Sequence, residues 1–519
     1  MSTFDDLVDD ALRLFWSLNP VTASFAGETA YDTELPTAVV SEPTTLEALE
    51  RLATRLDATE VPDDIGARLD ARYIRAFREA SLAPVAQGRL ASDPVRYTSE
   101  TTFGVIALLL REDPNTVPAL RSRLAKIADF LDHGRAVLAG APMPKPWANR
   151  AATEAAAFAT LLRSGLPKHP WARVLSSGET APAIAAAERF ARALSAHEDA
   201  DPACGVDHLG FVMRQIHGLE ETPQSLERRA ASALEDARDA LEEAARRVDP
   251  TRTWQEIVAR AAAEKPAPAT TLAVLQTWHE RALVAAEPLI TPARDYRLSF
   301  EALPAWAAEV ASDLYFLFYR SPAARFPGSG STYWSVGDPS VSDAKLVHAV
   351  HHGSIGHHTQ NARARVARSR FARIAGTDGA AALALPGSGT MVEGWACYAE
   401  DLLEEVPGFY TQTERVLLRY FTLQNIACCL ADVRLHSGRW TLEEVQRFYT
   451  DDVAFAPGRV VLETVRNSLF PGSRLMYWVG TSAIAELRRR SLLGTRAFHD
   501  ELLAFGSVPV AWIRDEIAS

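Results

Sequence analysis

Cysteine is scarce: the 519 residues hold four, Cys204, Cys397, Cys428 and Cys429. None forms a C-x-x-C pair, and so few argue against a disulfide framework. Cys428 and Cys429 adjoin in an apolar run and are expected as buried thiols. Basic charge is also in deficit. Lys and Arg number 54 against 66 Asp and Glu, a formal net charge of −12. No basic stripe interleaved with aromatics is present, which argues against a nucleic-acid partner. No window reaches ~18 apolar residues, so no membrane span is expected. The opening "MSTFDDLVDDALRLF" is acidic and lacks the charged-then-apolar pattern of a secretory leader. The compartment expected on these grounds is the cytoplasm, with no membrane partner.

What is present is apolar content and helix signal. Hydrophobic residues make up 47%, enough at this length for a large core in two or three subdomains or one helical unit. The run 225–248, "SLERRAASALEDARDALEEAARRV", repeats apolar residues at three- and four-residue spacing behind Thr222 and Pro223, which predicts a long amphipathic helix. The run 415–435, "RVLLRYFTLQNIACCLADVRL", is apolar almost all round and predicts a buried helix. Strand candidates are short and few: "YRLSF" (296–300) and "STYWSVGD" (331–338). Pro and Gly mark breaks at 140–147, 265–270, 325–332 and 385–390. The expected fold is mainly α with a few short strands. Residues 1–265 form an N-terminal helical half and 266–519 a C-terminal half carrying the chemistry, together one intertwined catalytic unit. No internal repeat is found.

Five of the thirteen histidines fall in "HAVHHGSIGHH", residues 348–358. A solvated face or hydrogen-bonded core positions would explain a lone histidine. Five so close point to a metal, because neutral imidazole ligates zinc, iron, copper and nickel. On a helix His348 and His352 share a face, while Ile355 occupies the position four after His351. Gly353 and Gly356 weaken the helix, so a break or bulge swings His357 and His358 back. A third ligand is sought in "MVEGWACYAEDLLEE" (391–405), where Glu393, Cys397, Glu400 and Glu404 share one helical face. Two histidines on one helix and a glutamate on a later one is the zincin arrangement of the glutamate-ligand type. Glu393 is the expected ligand, with Glu400 behind it.

These stretches resemble the bacterial "domain of unknown function 885" proteins, a zincin-like group related to helical metallopeptidases. The pattern of that family runs HExxPGHHxQ, EGWAxYAE, DxxxH, a PG…Y…G segment and FHDxLLxxG. Here stand "HHGSIGHHTQ" (351–360), "EGWACYAE" (393–400), "DVRLH" (432–436), "LFPGSRLMYWVG" (469–480) and "FHDELLAFGSVP" (498–509). "NPVTASFAGETAYD" (19–32) is similar to the family's opening. The resemblance implies a zincin-like helical scaffold. Its metal ligands would be His351, Glu393 and one of His357 and His358, of which His357 matches the first histidine of PGHH. His436 and Tyr477 match positions near the metal, where either would donate to an oxyanion. Arg466 would grip a substrate carboxylate with both arms of its fork.

Three positions depart from the pattern. His352 replaces the glutamate after the first histidine, Ile355 replaces the proline, and Asn467 stands where an Arg-Tyr pair often has its tyrosine. In a zincin that glutamate takes the proton from metal-bound water. His352 is expected instead as an acid–base group or as an extra ligand. The functional expectation is an enzyme with a divalent transition metal: zinc first, iron or manganese as alternatives. Its substrate is a small molecule bearing a carboxylate or amide. Its reaction is hydrolysis, or a lyase, dehydration or cyclisation step, in specialised metabolism. The rival expectations are an amide hydrolase with His352 as base, and a non-catalytic binding protein.

Overall fold

The computed structural model describes residues 3–36, 43–111, 113–314, 319–320, 330–335 and 337–517. Helices dominate it, as the sequence predicts. Each of the two long predicted helices starts at a threonine cap. Thr222 caps Pro223–Val248, with Pro223 in the first turn where its missing N–H costs nothing. Thr411 and Glu414 form a reciprocal capping box at the start of Gln412–His436. The two helices pack on each other. Gln412–His436 is long and apolar enough to cross a membrane, but 72% of that window is buried inside the structure. Cys428 and Cys429 lie in this core helix, both fully buried as free thiols.

The strands form one small sheet in the order β1-β3-β2. Strand β1 (Leu298–Ala302) runs parallel to β3 (Ser331–Ser335), and β2 (Tyr319–Arg320) runs antiparallel to β3. The first strand starts two residues later than its apolar run predicts, and the second ends sooner. Of the predicted break at 325–332, residues 325–329 lie outside the described residues, as does position 336 of the second predicted strand.

Apolar packing runs across position 265. One apolar cluster joins Phe4, Phe15 and Tyr73 to Val350, Trp395, Phe498 and Ile517. A second joins Phe103 and Phe158 to Trp306, Trp334 and Leu469. A third joins Leu226 and Trp254 to Cys428, Tyr449 and Val479. Residues on both sides of position 265 contribute to each of these clusters.

The segment bearing the histidines is anchored by Lys345. Its buried ammonium donates to Glu414 at 2.8 Å and to the Phe409 carbonyl, and lies 4.1 Å over the Trp278 ring. A buried cation needs such partners, and here they tie this segment to the start of Gln412–His436.

Candidate metal centre

Ser340 caps a turn at Val341–Asp343, and the chain then winds at the wider π-helical spacing over Ala344–His352. The regular helix fails at the glycines. Gly353 has ψ −152°, Ser354 has φ 26°, and Gly356 has ψ −126°. At Gly356 the turns approach so closely that a Cβ would sit 1.9 Å from the His351 carbonyl oxygen. Only glycine fits, and the break folds His357 back onto His351, their ring centroids 4.9 Å apart. One ligand nitrogen each from His351, His352 and His357 lies within 4.8 Å of the others.

Glu393 closes the cluster from the helix Gly389–Leu402. Its Oε2 lies 3.9 Å from His351 Nε2 and 3.7 Å from His357 Nε2. These gaps are too long for hydrogen bonds. One ion with bonds of ~2.0–2.2 Å bridges donors up to ~4.4 Å apart. Glu400, two turns further on the same face, accepts a 2.6 Å hydrogen bond from His351 Nδ1. That bond puts the proton on Nδ1 and turns the Nε2 lone pair toward Glu393 and His357. The donor set of imidazoles plus one carboxylate therefore fits a borderline divalent metal. Trp395 locks the two elements together by donating from Nε1 to the Ile355 carbonyl at 2.8 Å. Ile355, in place of the expected proline, is fully buried at this junction.

Electrostatics separates the histidines. Burial depresses His351, but the Glu400 hydrogen bond and the charges of Glu400 and Glu393 outweigh it, and its pKa ends above the ordinary value. His352 is driven well below the ordinary value by burial, then by His351, His357 and His348. Burial pushes His357 down to about 4 against the pull of Glu393. His352 and His357 are therefore neutral imidazoles at pH 7, the form that ligates a metal. Cys397, on the same face as Glu393, stays a thiol, its pKa raised by burial and by Glu400 and Glu393.

The other predicted residues divide. His358 points away and donates from Nε2 to the Tyr296 carbonyl at 2.6 Å, so the backbone break leaves His357 facing His351. His348 is engaged by the Tyr333 hydroxyl through Nδ1. Tyr477 and Arg466 do meet: Arg466 Nη2 donates to the Tyr477 hydroxyl at 2.9 Å, and burial, with the charge of Glu393 adding to it, raises the Tyr477 pKa. His436 is a correction. It is fully buried, its Nδ1 accepts from the Cys204 N–H at 3.3 Å, and its Nε2 donates to the Asn467 carbonyl at 2.7 Å. With both nitrogens committed to backbone it ties segments together and is not poised to donate to an oxyanion. Tyr333, Glu463 and Arg474 were not anticipated. Arg474 stands inside the "PGSR" motif, the one signal that pointed to it.

Residues 20–517 match the family described as "Bacterial protein of unknown function (DUF885)". The chain belongs to the DUF885 family. Among curated proteins none matches this DUF885 chain. Two solved structures share its fold. "The structure of a putative lipoprotein of unknown function from Shewanella oneidensis" superposes with a TM-score of 0.76 at 15% identity, covering 100% of both chains. "The crystal structure of the putative lipoprotein from Colwellia psychrerythraea" gives 0.75 at 16% identity, covering 100% of this chain and 99% of that one. At these identities the likeness shows the DUF885 fold alone.

Proposed function

We propose that this DUF885 protein is a metal-dependent enzyme on a zincin-like scaffold, diverged from peptidase chemistry, that acts on a small substrate bearing a carboxylate or amide. The observation that carries the reading is the approach of His351 and His357 to Glu393, 3.9 and 3.7 Å, too long for hydrogen bonding and short enough for one ion, with His352 in the same histidine cluster and Glu400 turning His351 inward. His351, His357 and Glu393 would hold the metal, zinc before iron or manganese, with His352 beside them. When bound, such an ion polarises a carbonyl or carboxyl oxygen as a Lewis acid. Tyr477 and Arg466 supply a hydroxyl and a guanidinium next to that centre. His352 brings no negative charge where the family pattern has a glutamate, which weakens ordinary peptide hydrolysis and favours a lyase, dehydration or cyclisation step or a modified hydrolysis. A role in specialised metabolism is consistent with that change.

One observation favours a second reading, an amide hydrolase with His352 as base. The ring is a neutral imidazole with a lone pair to offer, and burial beside His351, His357 and His348 holds its pKa well below the ordinary value, so it would take a proton only in passing and hand it on at once. Location also belongs here. Both structural neighbours carry the description "putative lipoprotein", which favours an exported or membrane-anchored setting over the cytoplasm expected from composition.

Metal analysis of purified protein, with zinc titration of the stripped form, tests the reading. About one equivalent is expected, falling away in His357→Ala and in Glu393→Ala. Wild-type protein that takes up no stoichiometric metal would leave the non-catalytic alternative. His352→Glu restores the family's carboxylate. If this variant gains cleavage of aminoacyl anilides while keeping its metal, the scaffold was repurposed from hydrolysis.

A further inference from the structure

We propose that the turn 491–494, with the arginines around it, docks this protein on an anionic membrane surface. The proposal rests on no part of the metal-enzyme reading.

The turn joins the helix Leu475–Arg490 to the helix Thr495–Ala504. Its leucines stand in water: Leu492 is 96% exposed and Leu493 46%. Single exposed apolar residues are ordinary, but two adjacent ones at the tip of a turn offer apolar area for a partner to cover. The tip is braced. Ser491 Oγ accepts from the Leu493 N–H at 3.2 Å. Behind it Arg488 donates to Thr495 Oγ1 at 3.2 Å and to Glu405 Oε2 at 3.0 Å.

Cations surround the tip. Arg489, Arg490, Arg496 and Arg514 are all exposed. Arg489 pairs with Glu486, and Arg496 donates to the Thr291 hydroxyl at 3.0 Å, a partner without charge. Arg490 and Arg514 make no ion pair among the described residues. Both border one cavity of about 270 Å³ whose other walls are Ala483, Leu487, Val510, Ala511 and the Glu486 already paired with Arg489. Of the acids after Arg514, Glu516 is bound to Arg68, and Asp515 lies about 100° further round the helix.

A run of arginines at a helix C-terminus suits the helix dipole. That accounts for Arg488, Arg489 and Arg490, but not for the leucines beyond them, nor for Arg514, which comes from another element. An apolar tip inside a positive collar matches the layers of a membrane face. The leucines enter the acyl boundary, and Arg490 and Arg514 take a headgroup phosphate between them. With a net charge of −12, the molecule as a whole is repelled by an anionic surface, which favours approach through a cationic end. A nucleic acid would use the arginines and leave the leucines in water. A rigid protein partner needs a hollow shaped to a projecting tip, whereas a lipid surface deforms around it. A peripheral face of this kind needs no spanning helix.

Flotation of the full-length protein with vesicles tests the face. At low salt, vesicles of equal parts phosphatidylglycerol and phosphatidylcholine should carry the protein, and pure phosphatidylcholine vesicles at least ~10-fold less. High salt should release it. Arg490→Gln combined with Arg514→Gln should weaken binding about 25-fold, at about fivefold for each charge near the surface. Leu492→Ser combined with Leu493→Ser should weaken it at least ~10-fold. Val174→Ser, at an exposed apolar residue on another element, should leave it unchanged. A polarity-sensitive dye on Leu493→Cys should report an apolar setting on anionic vesicles alone, against wild-type protein treated alike. The melting temperature verifies that each variant folds. Zinc-loaded and stripped protein should bind alike, which keeps the face even if the metal reading falls. Equal binding to both vesicles, binding to neither, full binding by the double leucine variant, no dye response on anionic vesicles, binding by the loaded form alone, or tighter binding to duplex DNA than to the vesicles would each overturn the proposal.

Discussion

Replacing Gly356 by alanine tests whether the broken backbone builds the centre. The added Cβ would lie 1.9 Å from the His351 carbonyl oxygen and 2.5 Å from that of Val350. Carbon and oxygen do not approach closer than roughly 3.2 Å without strain, so a displacement of more than about 1 Å is forced. Both obstructing atoms are backbone, and one belongs to His351 itself. The displacement therefore separates His351 from His357. Their Nε2 atoms stand 3.9 and 3.7 Å from Glu393 Oε2, near the upper limit of ~4.4 Å that one ion bridges. An added ångström takes one donor out of reach. Loss of supporting groups around metal ligands costs about 10–100-fold in affinity, and loss of a ligand costs more. Zinc affinity should fall by over ~100-fold, more than about 2.7 kcal/mol. Overpacking should lower the stability of the stripped protein by about 1–3 kcal/mol. Competition against a chromophoric chelator reads the first, and denaturant unfolding the second. Gly458→Ala is the control, since nothing lies within 4 Å of its added carbon. A Gly356→Ala protein that binds zinc within about threefold of wild type would refute the account of the break.

Glu400→Gln keeps an acceptor for His351 Nδ1 but removes its charge, while Glu400→Ala removes both. Zinc binding should weaken in both, by about 10–100-fold in the alanine variant and less in the glutamine variant; equal losses would mean that orientation contributes nothing. Ser507→Ala strands the buried amide of Gln360, which donates to Ser507 Oγ at 2.9 Å, and should cost about 1–3 kcal/mol by denaturant unfolding. The stripped protein should also be acid-labile. Burial holds His217, His279, His348 and His499 down at about 4, and His358 and His436 at about 3. An unfolded chain protonates each near ~6.5, so the unfolded state binds more protons and stability is lost as pH falls from ~6.5 toward 4. Glu100, Asp401 and Asp432, raised by burial to about 7, act oppositely and favour the folded state toward the acid end of the same window, but they are three against six. The melting temperature should drop between pH 7 and pH 5, and a rise would contradict the burial of the histidines.

The readable parts of the sequence were those where chemistry is local. Thr222, Pro223 and the spacing behind them fix a helix without tertiary help, as do Thr411 and Glu414 at the next long one. Histidine density and the Glu393–Glu400 spacing mark the centre for the same reason. The choice of His357 over His358 needed the backbone path through Gly353, Ser354 and Gly356, which no periodicity encodes. His436 was misassigned because a position in a motif does not reveal which backbone groups its nitrogens meet. Arg466 was legible from the family pattern, but its spacing from Arg459 and Glu463 alone does not tell a solvated helix face from an interior one. Only the packing of Arg474 against them shows that the face is interior.

The end of the chain has a bearing on the order of assembly. His499 receives or gives hydrogen bonds at Tyr398 on the glutamate-bearing helix and at the Leu289 carbonyl, while Ser507 meets Gln360 just past the histidines and the backbone of Ala372. The clustered histidines and Glu393 precede these braces in the chain. A nascent chain therefore carries His351, His352, His357 and Glu393 before the contacts made by His499 and Ser507 exist. On the metal reading, an ion would meet its full set of donors in their final positions only after residues 499–507 have folded back against these elements.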